Sequence, residues 1–186
     1  SMQPVPQRCD VAIVGAGYAG LSAALTLARA GRSVQVFDRL RPGQGASTQN
    51  GGIASGGLRP SFSSLIAKLG LEQAKAIYLE AKTAREDLTD FLQREGLQCD
   101  YQVTGRFTGA SFQEDFDALR IDAELHRTHF DIEAKLIAPG NVSEEVATAR
   151  YFGGVVRPDI AAIHPAKLHA GMLALARQAG ATVHGE

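Results

Sequence analysis

An α/β fold organised on a parallel sheet is predicted by three neighbouring features of the sequence. A continuous apolar run, Val11 to Val14, is short enough for a strand and is the pattern of a central parallel strand covered on both faces. Leu21, Ala24, Leu25 and Ala28 then recur at i, i+3, i+4 and i+7, one face of a helix that Gly31 stops. A second β-rich run, Val34 to Phe37, follows. Strand, helix and strand in this order make a βαβ unit.

The link between the first strand and the helix is Gly15-Ala16-Gly17-Tyr18-Ala19-Gly20. Each glycine answers a steric demand: Gly15 allows the tight turn, Gly17 a close backbone approach to a pyrophosphate, and Gly20 close packing of helix on sheet. The unpaired amides and positive dipole end of the helix would then face phosphate groups. Asp38 ends the second strand, roughly 20 residues past the glycines, where an acid accepts hydrogen bonds from ribose hydroxyls. It favours FAD or NAD over NADP, whose 2′-phosphate it would repel. A structural βαβ unit with no ligand is the alternative reading.

Composition narrows the function classes. With 186 residues the chain can bury a substantial core, and 19 Lys and Arg against 20 Asp and Glu leave a formal charge of −1. That balance gives no basic footprint for nucleic acid and no polybasic membrane patch. No apolar run reaches the ~18 residues of a membrane span, so no membrane insertion is expected and the location is read as cytoplasmic. Cys9 and Cys99 form no C-x-x-C pair and read as buried thiols. Neither His126 with His129 nor His164 with His169 has further ligands at metal-binding spacing, so no metal site is expected.

Taken in order, residues 1–8 read as a disordered tail. Residues 45–57 are dense in glycine and small polar groups, either a flexible linker or a loop that wraps a second section of an extended cofactor. A short helix is expected up to Leu69, stopped by Gly70, and then a longer one with Ile77, Ala81, Ala84, Leu88 and Phe91 as its core stripe and Arg85 on a polar face. Tyr101 to Thr108 reads as a strand interrupted near Gly105. Ser111 and Glu114 have capping-box spacing, which starts a helix with Phe112, Phe116, Leu119, Ala123, His126 and Phe130 as its seam. His126 there reads as a core or rim histidine rather than a ligand. Asn141-Val142-Ser143 reads as a turn with Ser143 capping a short helix, and Tyr151 to Arg157 as a strand. Pro165 suits the first turn of a last helix, lined by Leu168, Met172, Leu175, Ala176 and Ala179 and stopped by Gly180 before a parallel strand, Ala181 to His184.

The turn GAGYAG, a strand ending in an acid, and then GASTQNGG at Gly45–Gly52 together resemble the D-amino-acid oxidase-like group of FAD-dependent oxidoreductases (DAO family). The similarity is strongest to the amine- and amino-acid-oxidising branch that includes gamma-glutamylputrescine oxidoreductase, whose loop reads close to GASGRNGG. Thr48 and Gln49 depart from that pattern, which leaves the substrate open. The segment His164-Pro165-Ala166-Lys167 matches the family's H-P-x-K return to the flavin domain. The resemblance implies FAD as cofactor, with Gly15, Gly17, Tyr18, Ala19, Gly20, Asp38 and Arg39 on its phosphate and ribose side. Gly45, Ala46 and Ser47 would approach the pyrophosphate or ribityl region, and Asn50, Gly51, Gly52 and Ile53 the isoalloxazine.

The implied architecture is a Rossmann-like FAD-binding domain, residues 9–95 and 158–186, with 96–157 the beginning of a mixed α+β substrate domain. Family members continue for a comparable length or more, so the chain is expected to be a truncated portion, inactive alone and completed by a missing C-terminal half or a partner subunit. The implied reaction is oxidation of a small amine or amino acid by hydride transfer to flavin N5. Arg106, Arg157 and His164 are candidates to meet a substrate carboxylate or position its amine; for His164, a helix-capping role is as good a reading. A non-catalytic nucleotide-binding module and an NAD-dependent dehydrogenase are the competing functions.

Overall fold

A computed structural model describes residues 5 and 7–185 of the chain. The tail expected over residues 1–8 falls mostly outside the described residues. Contacts divide the chain into two units, the first containing residues up to Gly52, Gly96–Tyr101 and Ile163 onward, the second Ile53–Glu95 and Gln102–Ala162. Relative to the expected division, residues 53–95 and 158–162 group with the second unit, where the helices of 53–95 pack, and 96–101 with the first.

In the first unit, β1 (Val11–Val14) leads into α1 (Tyr18–Arg29) and β2 (Val34–Phe37). Leu21, Ala24, Leu25 and Ala28 are the buried residues of α1, as its periodicity predicts. Gly31, at φ +78, closes the helix: its amide donates to Ala28 O and that of Arg32 to Leu27 O, a Schellman stop. The last helix, α5 (Pro165–Gln178), packs on α1 and ends in the same way at Gly180, with Gly180 N donating to Arg177 O and Ala181 N to Ala176 O. The final strand, β9 (Thr182–His184), pairs parallel with β2, giving the order β1-β2-β9. Among the described residues β2 is the middle strand of the three and β1 lies at an edge. Only alternate residues of β1 are partly buried, and Val14 is 93% exposed. One helix layer covers one face; Ala12 and Val14 project from the other.

The second unit has two small antiparallel sheets. One is β3 (Ile53–Ala54), β8 (Ala161–Ala162) and β4 (Gln102–Val103); the other is β5 (Arg106–Ala110), β7 (Gly153–Arg157) and β6 (Lys135–Ile137). Gly105, at φ +72, separates β4 from β5 where an interruption is expected. In β7, a Cβ on Gly154 would run into the Phe107 ring and one on Gly153 into Phe116, so the two glycines make room for aromatic packing.

Three helices complete this unit: α2 (Phe62–Leu69), α3 (Leu71–Glu95) and α4 (Gln113–Phe130). Ser61 caps α2 by accepting from Ser64 N, and Asp122 of α4 accepts from Phe62 N and Ser63 N. The cap of α4 is shifted from the expected one. Phe112 is its N-cap residue, and Asp115 rather than Glu114 reaches back to the amides of Ser111 and Phe112. Ser143 lies inside a short 3₁₀ turn, Val142–Glu144, whose N-cap is Asn141, and does not cap it.

The stripe expected on α3 is rotated by about one residue. Ala74, Tyr78 and Leu92 are buried, Ala84 is exposed, and Arg85 lies on the packed side with 13% of its side chain exposed. A charge can occupy that side because Asp159 meets it: Arg85 Nη1 to Asp159 Oδ2 is 2.6 Å. Arg157 also binds Asp159 through both oxygens, at 2.9 and 3.0 Å, and donates to Tyr78 Oη at 2.9 Å.

His126 is 6% exposed among Phe62, Tyr78 and Phe130, with Nδ1 2.6 Å from Asp122 O. It is the core histidine that its helical position predicts. Burial holds its pKa below the usual 6.5, only partly opposed by the bond to Asp122. The unfolded chain therefore takes up a proton near pH 6.5 that the folded chain refuses, and stability falls as pH drops below that value. The slope is at most ~1.4 kcal/mol per pH unit. Urea unfolding followed by circular dichroism on both sides of that pH should show this loss in the wild type and a smaller one in His126→Gln; equal losses would contradict the assignment.

Among the described residues no helix is long and apolar enough to cross a membrane, and no three His, Cys, Asp or Glu side chains gather as a metal site. Cys99 is buried, whereas Cys9 is only partly so.

Candidate functional site

The glycine turn sits at the C-terminal end of β1, between β1 and α1. Gly15 has φ +96, a conformation that side chains other than hydrogen disfavour, and its amide donates to Phe37 O at 2.7 Å. Gly20 passes so close to the Gly15 carbonyl that a Cβ there would overlap it. A Cβ on Gly17 would lie 2.9 Å from Ser47 Oγ. Gly17 is also the N-cap of α1 and supplies no capping side chain of its own, and the first turn of the helix carries no acid. Its positive end is thus left for an outside anion.

Asp38 follows β2 and accepts from Ala16 N at 2.7 Å through Oδ2 and from Leu40 N at 3.0 Å through Oδ1. These two bonds hold its carboxyl below the ordinary aspartate range, so it is ionised at neutral pH. A carboxylate has about four acceptor sites, which leaves capacity for ribose hydroxyls. Ser47 Oγ accepts from Tyr18 N at 3.2 Å and brings the downstream loop to the start of α1. Such a cradle fits a dinucleotide: small residues where phosphates approach, a helix pole with no acid in its first turn, and an acid at ribose distance along the chain.

Other expected contact residues have different occupations. The Tyr18 hydroxyl donates to Pro165 O at 2.9 Å, and burial raises its pKa. In the loop, Thr48 donates to Gly43 O at 2.6 Å, Gln49 to Gln44 O, and Asn50 to Ala46 O and Ser47 O, while Asn50 Oδ1 accepts from Gly52 N. The polar side chains thus fold the loop on itself. Gly45, Ala46 and Gly51 are exposed, as is Arg39. Gly52, at φ +65, is buried because its backbone passes against Ile163, and Ile53 begins β3 in the second unit.

Of the substrate candidates, His164 is the N-cap of α5, its ring accepting from Lys167 N. Arg157 is committed to Asp159 and Tyr78, and Arg106 is exposed on β5. One residue of the site was missed: His169, 3% exposed on α5, has Nε2 2.7 Å from Ala16 O. Its adjacency to Leu168 on the apolar side of α5 was the available signal.

A strand, a glycine turn and a helix with an acid after the next strand define a dinucleotide-binding α/β protein. The family model described as FAD dependent oxidoreductase (DAO) matches residues 10–186, and the chain belongs to that family, whose cofactor is FAD. Gamma-glutamylputrescine oxidoreductase of Escherichia coli (strain K12) is 30% identical over 95% of this chain and 41% of its own length. A probable oxidoreductase, OrdL, of Rhizobium meliloti (strain 1021) is 30% identical over 98% of this chain and 43% of its own. The crystal structure of glycine oxidase from Geobacillus kaustophilus superposes with a TM-score of 0.74 at 24% identity, over 96% of this chain and 46% of that one, a likeness of fold. The chain spans less than half the length of these relatives.

Proposed function

We propose that this chain forms the FAD-holding portion of an oxidoreductase that oxidises an amine or amino acid. The observation that carries the reading is the start of α1 at Gly17, with no acid in its first turn and with Ser47 and Asp38 hydrogen-bonded to the amides of Tyr18 and Ala16 on either side. Gly15, Gly17 and Gly20 hold the backbone against the pyrophosphate, Asp38 receives the ribose, and Gly45–Ser47 close over the phosphates. Asn50, Gly51 and Gly52 would line the flavin side of the loop, whose shape the Asn50 side chain holds. FAD held there would supply a two-electron acceptor for oxidation of the carbon bearing the amine. Similarity to an oxidoreductase of gamma-glutamylputrescine supports the amine class. Arg106, exposed on β5, is the candidate to meet a substrate carboxylate.

Polypeptide outside these residues, a C-terminal half or a partner, would complete the substrate side. The test is to purify the intact protein and add amines or amino acids without oxygen. Flavin absorbance should be present and should bleach with the right substrate. Intact protein that never retains flavin refutes the cofactor site, and flavin that no amine or amino acid reduces refutes the reaction.

A further inference from the structure

We propose that His169 is a positioning residue for the phosphate cradle, fixing the Ala16–Gly17 peptide so that the Gly17 amide faces the pyrophosphate. The inference rests on the assignment of the glycine turn to FAD. It begins from a hydrogen bond spanning most of the chain: His169 Nε2 lies 2.7 Å from Ala16 O, in a buried setting. A carbonyl oxygen only accepts, so Nε2 carries the proton.

Carbonyl and amide of one trans peptide point in opposite directions. Holding the Ala16 carbonyl against the buried ring therefore turns the Gly17 N–H away from it, out of the contact with α5. The preceding peptide is fixed as well, since the Ala16 amide donates to Asp38 Oδ2 at 2.7 Å. Ala16, 1% exposed, is thus clamped on both sides, by the acid after β2 and by the histidine on α5. The other ring nitrogen faces the next loop, where a Cβ on Gly43 would lie 3.4 Å from His169 Nδ1. A turn rich in glycine is conformationally loose, and two side-chain anchors on one residue order it before a ligand arrives.

A ring that merely filled space could be replaced by phenylalanine. The positioning role instead requires a donor. FAD affinity should therefore be measured by flavin fluorescence on intact apoprotein carrying His169→Phe or His169→Gln. The phenylalanine variant, which strands the Ala16 carbonyl, should bind about tenfold more weakly or worse, and the glutamine variant, which keeps an N–H donor, within about threefold of wild type. Wild-type affinity in His169→Phe overturns the proposal, as does an equal loss in both variants. Should neither variant fold, the ¹⁵N shifts of His169 in the wild type decide: the Nε2–H tautomer is expected, and the Nδ1–H tautomer overturns it. If Asp38→Ala also binds FAD as the wild type does, the assignment of the turn has failed, and not the role of His169 alone.

Discussion

Gly17→Val lowers FAD affinity by at least about two orders of magnitude, the expected result of a branched side chain placed where the pyrophosphate must approach. Even a Cβ at this position would meet Ser47 Oγ at 2.9 Å, a contact that a side chain can relieve by moving. The γ-methyl groups then extend over the amides at the start of α1, which no rotation of Ser47 can clear. Gly17 has an ordinary extended backbone, φ −80 and ψ −175, so valine there meets no backbone strain and the fold should survive. Fluorescence titration of FAD into apoprotein measures the loss, with circular dichroism as the control for folding. Unchanged affinity in a folded variant would remove Gly17 from the phosphate cradle.

Asp159→Ala should destabilise the second unit strongly. Arg85 and Arg157, with 13% and 15% of their side chains exposed, both point at this carboxylate. Its removal leaves two guanidiniums partly buried without it, at a cost of about 3 kcal/mol. Arg157 would keep its bond to Tyr78, which moderates the figure. Burial pushes the Asp159 carboxyl up, but the hydrogen bond and charge of Arg157, with the charge of Arg85, outweigh it and hold the group below the usual 3.8. A depressed carboxylate contributes stability above its unfolded pKa and loses it as pH falls through the folded one. Wild type should therefore lose this share of its stability only below about pH 4, whereas the variant lacks it throughout. Urea midpoints near neutral pH measure the difference; a loss under about 1 kcal/mol would mean that water replaces the carboxylate.

The sequence was most legible where a signal is local. The apolar faces of α1 and α5, their stops at Gly31 and Gly180, and the strands β1, β2 and β9 follow from periodicity and from glycine's access to positive φ. FAD and the family follow from two motifs, GAGYAG and GASTQNGG, each needing only its own few residues. Signals that depend on a distant partner were misread. On α3, periodicity alone put Arg85 on a wet face, because Asp159, the residue that makes its burial tolerable, is far along the chain. The local bonds of Thr48 and Asn50 to backbone carbonyls within five residues, which fold the loop on itself, leave no mark in composition. His169 was passed over because its partner, the Ala16 carbonyl, belongs to the backbone and leaves no mark in sequence.

The pairing of β2 with β9 also governs the order in which the chain can assemble. Gln35 meets Thr182, and Phe37 meets His184, so the strand after the glycine turn waits for residues made much later on the ribosome. Between them come all the residues of the second unit, whose antiparallel partners have already emerged by the time β9 appears. Closing so long a loop is entropically slow, and contacts of this span form late. Within these residues the glycine turn is therefore made early but gains late the helix α5, with His169, and the strand β9 that pairs with β2.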